Sequence, residues 1–250
     1  MKPYLLRRGL DYLFSLLILF VTFPIIILAL IAVFFEDRHN PIYMAKRIGK
    51  NMQSFRMIKI RTMIPNADNT KVDSTSINDL RVTRVGRFIR AIKLDEMLQF
   101  LNVLGGSMSI VGPRPNIDRE VFLYTSEEKK LLIIRPGITD LASIIFSDLA
   151  NILEGSVDPN ICYNQLVRPW KSRFGLIYVN QGTTKMYLKI VWYTAVNIIN
   201  RKSALDGILK ILKHLNVSDN LILVATRKNE LIPHPPLGSG DIMQSRDILD

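Results

Sequence analysis

The sequence predicts an α/β fold that is mostly helical with a small β element, preceded by a membrane helix. Residues 13–35 form one uncharged apolar run, residues 55–63 alternate apolar and polar side chains as a strand does, and apolar residues elsewhere recur at helical spacing. These patterns divide the chain into an N-terminal membrane segment at 1–39, a central domain at 40–200 and a C-terminal extension with a flexible tail at 201–250.

Composition and charge restrict the classes of function. The chain has 250 residues, 48% of them hydrophobic, which is enough for a sizeable core, and its net charge is +11. That charge indicates an acidic partner, which could be nucleic acid, an anionic membrane surface or a phosphorylated small molecule. The single cysteine, Cys162, excludes an intramolecular disulfide and a thiolate zinc site, and three histidines without ligand spacing argue against a histidine metal centre.

The apolar run is long enough to cross a membrane, since a helix of that length reaches about 34 Å. Basic residues flank it on both sides, which favours a cytoplasmic location for both ends. They are Lys2, Arg7, Arg8, Lys46, Arg47 and Lys50. Pro24 lies at the middle of the run, and a break there would give a re-entrant helix–break–helix. A kinked single span is the alternative, because Thr22 could bond the freed backbone groups.

The next segment contains two predicted strands and a loop. Residues 41–43 follow a turn, and in the strand at 55–63 the side chains of Lys59 and Arg61 share one face. Two cations on a strand face are either an ordinary solvated surface or one wall of a phosphate site. The polar run at 65–79 predicts a loop over or near that site.

Positive charge is concentrated just before the pair Asp95-Glu96. Residues 46–93 hold twelve Lys or Arg and only three Asp. Four of these arginines recur at every third position, which on a helix makes a stripe that drifts around one side. They are Arg81, Arg84, Arg87 and Arg90. Such a stripe would contact lipid headgroups, a pyrophosphate or RNA, or it is simply a solvated face.

The pair Asp95-Glu96 stands at the head of an amphipathic segment that predicts one helix, closed by the glycines at 105–106. Its two faces differ, with Leu94, Leu98, Leu101 and Leu104 opposite Asp95, Gln99 and Asn102. In a first turn, free backbone N–H groups favour an ionised carboxylate and also a phosphate. Neighbouring helical residues point about 100° apart, so the two acids would do different jobs. The alternative is that both are ordinary first-turn acids.

Two arginines are held beside prolines. Pro113 and Pro115 restrict the backbone on both sides of Arg114, and Arg135 directly precedes Pro136. Fixing a guanidinium in this way favours a binding role. A capping box at 125–128 begins the next predicted helix. Further helices are predicted near 146–153, 162–174 and 186–199, and the last of these would lie either on the membrane or against the core.

Together, these stretches resemble the bacterial sugar transferase family, the small monotopic polyprenyl-phosphate phosphoglycosyl transferases. The match covers roughly residues 4–200, and it is the order and spacing of its motifs that is specific. The motifs are Arg8-Gly9-Leu10-Asp11, Pro24, Arg47-Ile48-Gly49, Lys59-Ile60-Arg61-Thr62-Met63, Thr83-Arg84-Val85-Gly86-Arg87, Leu94-Asp95-Glu96, Asn102-Val103-Leu104, Met108-Ser109-Ile110-Val111-Gly112-Pro113-Arg114-Pro115 and Arg135-Pro136-Gly137-Ile138-Thr139.

The resemblance implies an activity and a place for it. The central domain would transfer a sugar-1-phosphate from a nucleotide diphosphate sugar, usually a UDP-sugar, to a membrane polyprenyl phosphate such as undecaprenyl phosphate, releasing UMP. This is the initiating step of bacterial glycan assembly. The domain would lie on the cytoplasmic face of the bacterial inner membrane, carried by a re-entrant helix and interfacial amphipathic helices. The implied partners are these two substrates and membrane lipid but no nucleic acid, and a homo-oligomer is left open.

The resemblance also implies roles for single residues. Asp95 would be the nucleophile that forms a covalent phospho-sugar aspartyl intermediate, and Glu96 would serve Mg²⁺, the implied cofactor. The residues expected to bind substrate are Lys59, Arg61, Arg84, Arg87, Arg114, Arg135 and Thr139. This chemistry suits the residue types, because a carboxylate can attack phosphorus, a hard cation prefers oxygen ligands and arginines neutralise phosphate charge.

The sequence also departs from the family pattern. Lys93 stands where Ser is common, residues 140–143 read Asp-Leu-Ala-Ser in place of a frequent Gly-Trp-Ala-Gln, and Tyr187 stands where Asp is common. Two further hypotheses therefore accompany the enzyme: a membrane-tethered basic protein that binds nucleic acid or anionic lipid, and a non-catalytic scaffold. Aromatic residues do not interleave with the arginine stripe as a nucleic-acid stacking platform requires.

Overall fold

The structure is a computed structural model, and it describes residues 2–67 and 79–245. Helices dominate these ranges, as predicted. They are α1 (Lys2–Asp37), α2 (Arg84–Ala91), α3 (Gln99–Leu104), α4 (Asp118–Phe122), α5 (Leu141–Ile145), α6 (Leu149–Ile152), α7 (Pro159–Leu166), α8 (Arg168–Gln181), α9 (Thr184–Ile199), α10 (Arg201–His214) and α11 (Asp219–Thr226).

The β element consists of two small ladders. Strands β1 (Ile42–Ile48) and β2 (Ser54–Ile60) pair antiparallel, whereas β3 (Ser109–Val111) and β4 (Gly137–Thr139) pair parallel. The predicted strand at 55–63 therefore ends early, and its last residue forms only an isolated bridge to the chain before α2. Most of the loop predicted at 65–79 lies outside the described residues.

Helix α1 is long and apolar enough to cross a membrane. It continues through Pro24 without a break, so the helix–break–helix expected from the sequence is not what the structure contains. The hydroxyl of Thr22 donates to the carbonyl of Ile18 at 2.6 Å, whereas the carbonyl that Pro24 deprives of its N–H donor is that of Phe20, so this bond is not the compensation expected of Thr22. One face of α1 exposes large apolar side chains, including Phe20, and the other packs against the domain.

Both ends of α1 are bonded to the same domain. Near its start, the buried carboxylate of Asp11 accepts from the backbone N–H of Ile110 at 2.9 Å. At its end, Glu36 accepts from the backbone N–H of Arg84 at 2.9 Å, and Asp37 pairs with Arg61 at 2.5 Å. The domain therefore lies alongside the helix rather than beyond one end of it.

Helix α2 crosses closely over the segment that follows β2. The hydroxyl of Thr83 caps the helix by accepting from the N–H of Gly86 at 3.0 Å. A Cβ at Gly86 would lie 2.1 Å from the carbonyl oxygen of Thr62, so only glycine permits this crossing. The crossing brings the C-terminal half of α2 to the end of β2.

The main core lies between α5, α8, α9 and α10, where side chains such as Leu141, Phe174, Ile190 and Ile208 are fully buried. Helix α9 packs Ile190 against this core, as one of the two alternatives for it predicts, while Trp192 is 66% exposed, and the location of that face on the membrane stays a prediction. A buried ion pair attaches the start of α8 to the segment at Glu128, since Arg168 donates to Glu128 at 2.5 Å. Glu128 also closes the predicted capping box, although the segment it begins is a 3₁₀ helix at Glu128–Ile133.

The C-terminal extension is described up to residue 245, and the flexible tail that its composition predicts stays a prediction. Beyond α11 it has no helix or strand, yet the amide of Gln165 donates to the carbonyl of Met243 at 2.6 Å. The hydroxyl of Thr125 donates to Leu237 O, and the ring of His234 contacts that of Trp170 at 4.3 Å between centroids. Side-chain donors and aromatic contacts thus hold a segment that lacks its own hydrogen-bonded structure.

Candidate active site

Asp95 does not lie in the first turn of a continuous helix. The segment Leu94–Glu96 is a single 3₁₀ turn, and the α-helix begins later, at Gln99. The 3₁₀ turn begins directly after Lys93, whose backbone is left-handed with a φ of 55°. Asp95 is nevertheless a first-turn acid, as predicted, but a single 3₁₀ turn has a smaller dipole than a long helix, so its surroundings depend mainly on tertiary contacts.

The predicted separation of an apolar and a polar face is also only half right. Leu94 and Leu98 are buried against α1, as expected, but Leu101 is 43% exposed. Asn102 is buried instead, because its amide oxygen accepts from the N–H of Ile58 at 2.9 Å and its nitrogen donates to Arg56 O at 2.8 Å. Asn102 thus supplies hydrogen bonds to the free edge of β2 and aligns that strand with the Asp95 segment.

This alignment brings Lys59 to both acids. Its ammonium nitrogen lies 3.8 Å from Asp95 Oδ2 and 3.7 Å from Glu96 Oε1. The guanidinium of Arg114 forks onto the two carboxylate oxygens of Glu96, one of the bonds measuring 3.2 Å. Asp95 accepts no hydrogen bond from any described residue. One carboxylate is therefore held in a two-point ion pair, while its neighbour keeps its oxygens open toward a cation.

The two acids also differ in their protonation behaviour. Burial opposes ionisation of Glu96, yet Arg114 and Lys59 outweigh it and hold the pKa of Glu96 at about 2. Burial raises the pKa of Asp95, with Lys59 opposing that rise. Burial likewise lowers the pKa of Lys59, against the pull of Glu96. The prediction that neighbouring acids have different environments is confirmed.

Asp95 opens into a cleft of about 960 Å³. Among the described residues, nine cationic side chains line this cleft against three carboxylates, so its lining carries a net positive charge. The cations are Lys46, Arg47, Lys59, Arg61, Arg81, Arg90, Arg114, Arg119 and Lys171, and the acids are Asp95, Asp118 and Glu120. A cleft of this size and charge suits a ligand that carries several phosphate charges.

Arg61 lines the cleft but is already fully bonded. Its five N–H groups donate to Asp37 twice and to the carbonyls of His39, Asn40 and Met63. Arg61 therefore holds the end of α1, and its expected role in substrate binding stays a prediction.

The arginine stripe turns only partly toward the cleft. Arg84 and Arg87 are exposed on α2 and do not line it, contrary to their expected role. Arg81 and Arg90 do line it, and Arg90 Nε donates to the hydroxyl of Thr62 at 2.7 Å. A spacing of three residues drifts around a helix, so the last member of the stripe faces a different side from the middle ones.

Arg135 and Thr139 also lie away from the cleft. Arg135 Nε donates to the carbonyl of Gly106 at 2.7 Å, on the side of the domain that faces the start of α1. The hydroxyl of Thr139 is buried and shares a 2.7 Å hydrogen bond with that of Thr194 on α9. Both residues support the fold around β4 and do not reach the site.

Several residues at the site were missed by the sequence. Lys171 and Tyr163 line the end of the cleft, and burial, with help from Arg114, lowers the pKa of Lys171 to about 8. Burial raises the pKa of Asp140, whose carboxylate caps α5 by accepting from the N–H of Ser143 at 2.6 Å. No motif marks Lys171, whereas Arg90 could have been chosen as the stripe member closest in sequence to Asp95.

The oxygen ligands present fit a magnesium ion only as a shared site. No group of three or more His, Cys, Asp or Glu side chains with metal-binding geometry occurs among residues 2–67 and 79–245. Asp95 and Glu96 offer two carboxylates, and Mg²⁺ is commonly held by one or two carboxylates together with substrate phosphates and water. Glu96 would have to share its oxygens with Arg114. The requirement for Mg²⁺ stays a prediction.

Comparison with known proteins gives a consistent result. A sequence model described as bacterial sugar transferase matches residues 2–201. The exopolysaccharide production protein ExoY of Sinorhizobium fredii is 37% identical over 153 residues, which cover 55% of this chain and 68% of that protein. A UDP-glucose:undecaprenyl-phosphate glucose-1-phosphate transferase of Klebsiella pneumoniae is 32% identical over 201 residues, covering 79% of this chain and 41% of that protein.

A UDP-N-acetylgalactosamine-undecaprenyl-phosphate N-acetylgalactosaminephosphotransferase of Aeromonas hydrophila is 33% identical over 147 residues, which cover 56% of this chain and 34% of that protein. The chain thus spans between about a third and two thirds of the length of these relatives. The family match covers most of the chain and contains the whole cleft around Asp95. The chain belongs to the bacterial sugar transferase family.

Proposed function

We propose that this protein transfers a sugar-1-phosphate from a UDP-sugar to undecaprenyl phosphate, releasing UMP, through a covalent intermediate on Asp95. The observation that carries the proposal is the open carboxylate of Asp95 on the wall of a cleft with nine cationic side chains. Relatives that are 32% or 33% identical to this chain over the aligned residues are named for transfers from UDP-sugars to undecaprenyl phosphate. The transfer between these two substrates would be the initiating step in the assembly of a bacterial glycan.

The contacts of the site suit a nucleophilic role for Asp95. A nucleophile needs an available lone pair, and the ion-pair partner of Asp95 among the described residues is Lys59, at 3.8 Å, a distance that leaves its oxygens accessible. Glu96, in contrast, is occupied by Arg114. An Asp95 oxygen would attack the phosphorus that bears the sugar, the bond to the UMP phosphate would break, and UMP would leave with the electron pair. An oxygen of undecaprenyl phosphate would then attack the same phosphorus and restore the carboxylate.

The cations around Asp95 would stabilise the charge on the transferred phosphate. Lys59 and Arg90 flank Asp95, and Arg114 is held rigidly by its prolines and by Glu96. Pre-oriented cations in a cleft shielded from bulk water stabilise developing negative charge without reorganising. Glu96, with the phosphate oxygens of the donor, would hold Mg²⁺, which supplies further neutralisation of the diphosphate when bound.

The contacts of α1 support a re-entrant location in the membrane, for which the unbroken helix would bend at Pro24. Asp11 and Glu36 are 25 residues apart, which is about 38 Å along a helix, more than the roughly 30 Å of a bilayer core. Both are bonded to the domain, so an ordinary span would place the domain inside the bilayer. We infer that both ends stay on one face, the cytoplasmic one where a UDP-sugar is available. Exposed Phe88 on α2 and Trp192 on α9 would enter the interface beside α1.

A transfer assay tests this function. The full chain in nanodiscs, given Mg²⁺, undecaprenyl phosphate and a panel of UDP-sugars, should release UMP and form a lipid-linked sugar with at least one donor. Asp95→Asn should lower this rate by about 10⁴-fold or more, since it removes the nucleophile while nearly keeping its shape. Lys129→Gln, an exposed change away from the cleft, should keep the rate. Retention of oligonucleotides or anionic lipid with no consumption of any nucleotide sugar would favour a binding protein or scaffold instead.

A further inference from the structure

Lys171 is a cleft residue whose charge is not matched by an ion pair. It lies on α8, and its ammonium nitrogen stands 5.2 Å from the ring centroid of Tyr163, which lines the same end of the cleft. No carboxylate of the described residues comes within ion-pair distance of it. Asp140, an acid that acts electrostatically on Lys171, directs its carboxylate to the N-terminus of α5. A partly buried ammonium over an aromatic ring, without a carboxylate partner, is suited to receive an anionic ligand.

The helix that carries Lys171 is rigidly held. Glu128 accepts from Arg168 at 2.5 Å and from the hydroxyl of Ser172 at 2.7 Å, and both donors lie within one turn of Lys171. The side chains of all three are fully or almost fully buried. The ammonium is thus presented to the cleft from a fixed backbone, as a pre-organised binding group requires.

Lys171 and Asp95 line the same cleft, and among the described residues Asp95 pairs with Lys59 and not with Lys171. The ion pair Glu96–Arg114 acts electrostatically on both of them. A phosphate beside Asp95 and Lys59 would therefore leave Lys171 available to a second phosphate of a ligand that fills the cleft.

The chemistry of the proposed reaction needs an anion site on the side of the transferred phosphorus that faces away from Asp95. In an in-line displacement the attacking and leaving oxygens lie on opposite sides of the phosphorus. When Asp95 attacks, the UMP phosphate leaves on the side away from Asp95. When the lipid phosphate attacks the aspartyl intermediate, Asp95 is the leaving group, so the lipid phosphate must approach from the same far side. One subsite would serve both phosphates in turn.

We propose that Lys171 binds the phosphate opposite Asp95, which is the phosphate of UMP in the first step and that of the polyprenyl carrier in the second. This inference rests on the proposed function and adds a residue and a subsite to it. In step one the Asp95 oxygen–phosphorus bond forms and the bond to the UMP phosphate oxygen breaks. In step two the carrier's phosphate oxygen bonds to that phosphorus and the carboxylate leaves, so Lys171 faces one phosphate monoester in each step.

The two half-reactions allow a direct test with Lys171→Gln. Exchange of labelled UMP into UDP-sugar, without acceptor, gives the UMP concentration for half-maximal exchange, and full turnover gives the KM for undecaprenyl phosphate. Both constants should rise by about 10- to 100-fold, in parallel, because each ligand loses one charge-assisted hydrogen bond. Lys129→Gln removes the same charge from an exposed position and should change neither constant.

A rise in only one constant, or in neither, would overturn the shared subsite. If Lys171→Gln does not fold, as judged by its thermal transition, Lys171→Arg is used, which keeps the charge but changes its position. That variant should shift the two constants by the same smaller factor, and a change in one alone would again overturn the proposal. A different result, no UMP exchange by the wild-type protein, would reject the covalent mechanism rather than the role of Lys171.

Discussion

Neighbouring residues in this site acquire different properties from different partners. Asp95 and Glu96 are adjacent in sequence and share Lys59, yet only Glu96 receives the fork of Arg114. This pairing keeps Glu96 ionised far below neutral pH, with a pKa of about 2, while burial raises the pKa of Asp95. A fixed ion pair next to an available carboxylate is what a division into a supporting acid and a nucleophile requires.

Tyr187 shows how a departure from the family pattern is accommodated. Its hydroxyl, fully buried, donates to Asp11 Oδ1 at 2.8 Å, and the backbone N–H of Ile110 donates to the same oxygen. A tyrosine at this position adds a donor for a buried carboxylate of α1, where an aspartate would place a second negative charge beside Asp11. The departure therefore concerns the attachment of α1 and not the cleft, which Tyr187 does not line.

Arg114→Lys tests whether the geometry of a guanidinium matters. The lysine keeps the positive charge but loses the planar fork that holds both oxygens of Glu96. We expect kcat/KM for the UDP-sugar to fall by about 10- to 100-fold, the loss of one strong two-point contact. Steady-state UMP release measures it, with Lys129→Arg as a surface control. An unchanged kcat/KM would mean that Arg114 is structural or merely solvated.

At the scale of elements, α1 acts as a platform for the site. Its residues Ile26, Ala29 and Val33 pack in one cluster with Leu94 and Leu98. These two leucines lie on either side of Asp95 and Glu96 in the sequence. The glycine at position 86 lets α2 approach the end of β2 and so delivers Arg90 to the cleft. The proposed nucleophile, Asp95, is therefore the neighbour in sequence of Leu94, which packs against α1, and this suits the proposed transfer to a lipid acceptor.

The location of α1 predicts the labelling of its ends. With Cys162 changed to Ser, cysteines at Lys2, His39 and Lys129 should all resist a membrane-impermeant maleimide in intact spheroplasts and should all react in inverted vesicles. The physical reason is that both ends of α1 are attached to one domain, and Lys129 reports the side on which that domain lies. Opposite behaviour of Lys2 and His39 would reject the re-entrant location and establish a span.

At the scale of the whole molecule, the sequence predicts the class of the fold and the residues at the centre of the site. It does not predict all of the residues that line the surrounding cleft. Asp95, Glu96, Lys59 and Arg114 meet as expected because short motifs encode them. The cleft also depends on pairings between distant segments. Arg61 is bound by Asp37, and Asn102 turns inward because the edge of β2 needs its amide. Periodicity along one segment carries no information about such partners.

The C-terminal extension gives the same lesson on a larger scale. Proline and glycine near its end indicate a loose segment when read locally, yet Met243 and Leu237 are bonded to residues more than 70 positions earlier. Lys171 belongs to this class of long-range features as well. It lacks a motif, and it becomes a candidate only once α8 is placed beside the Glu96–Arg114 pair.

The covalent intermediate is the central claim, and a single-turnover experiment with donor alone tests it most directly. Wild-type protein mixed with a UDP-sugar that it accepts, without any polyprenyl phosphate, should release UMP up to one equivalent. The peptide that contains Asp95 should then carry the added mass of the sugar phosphate, and Asp95→Asn should give neither signal. UMP release only after addition of polyprenyl phosphate, with no modified peptide trapped, would contradict this account and favour direct displacement by the lipid phosphate.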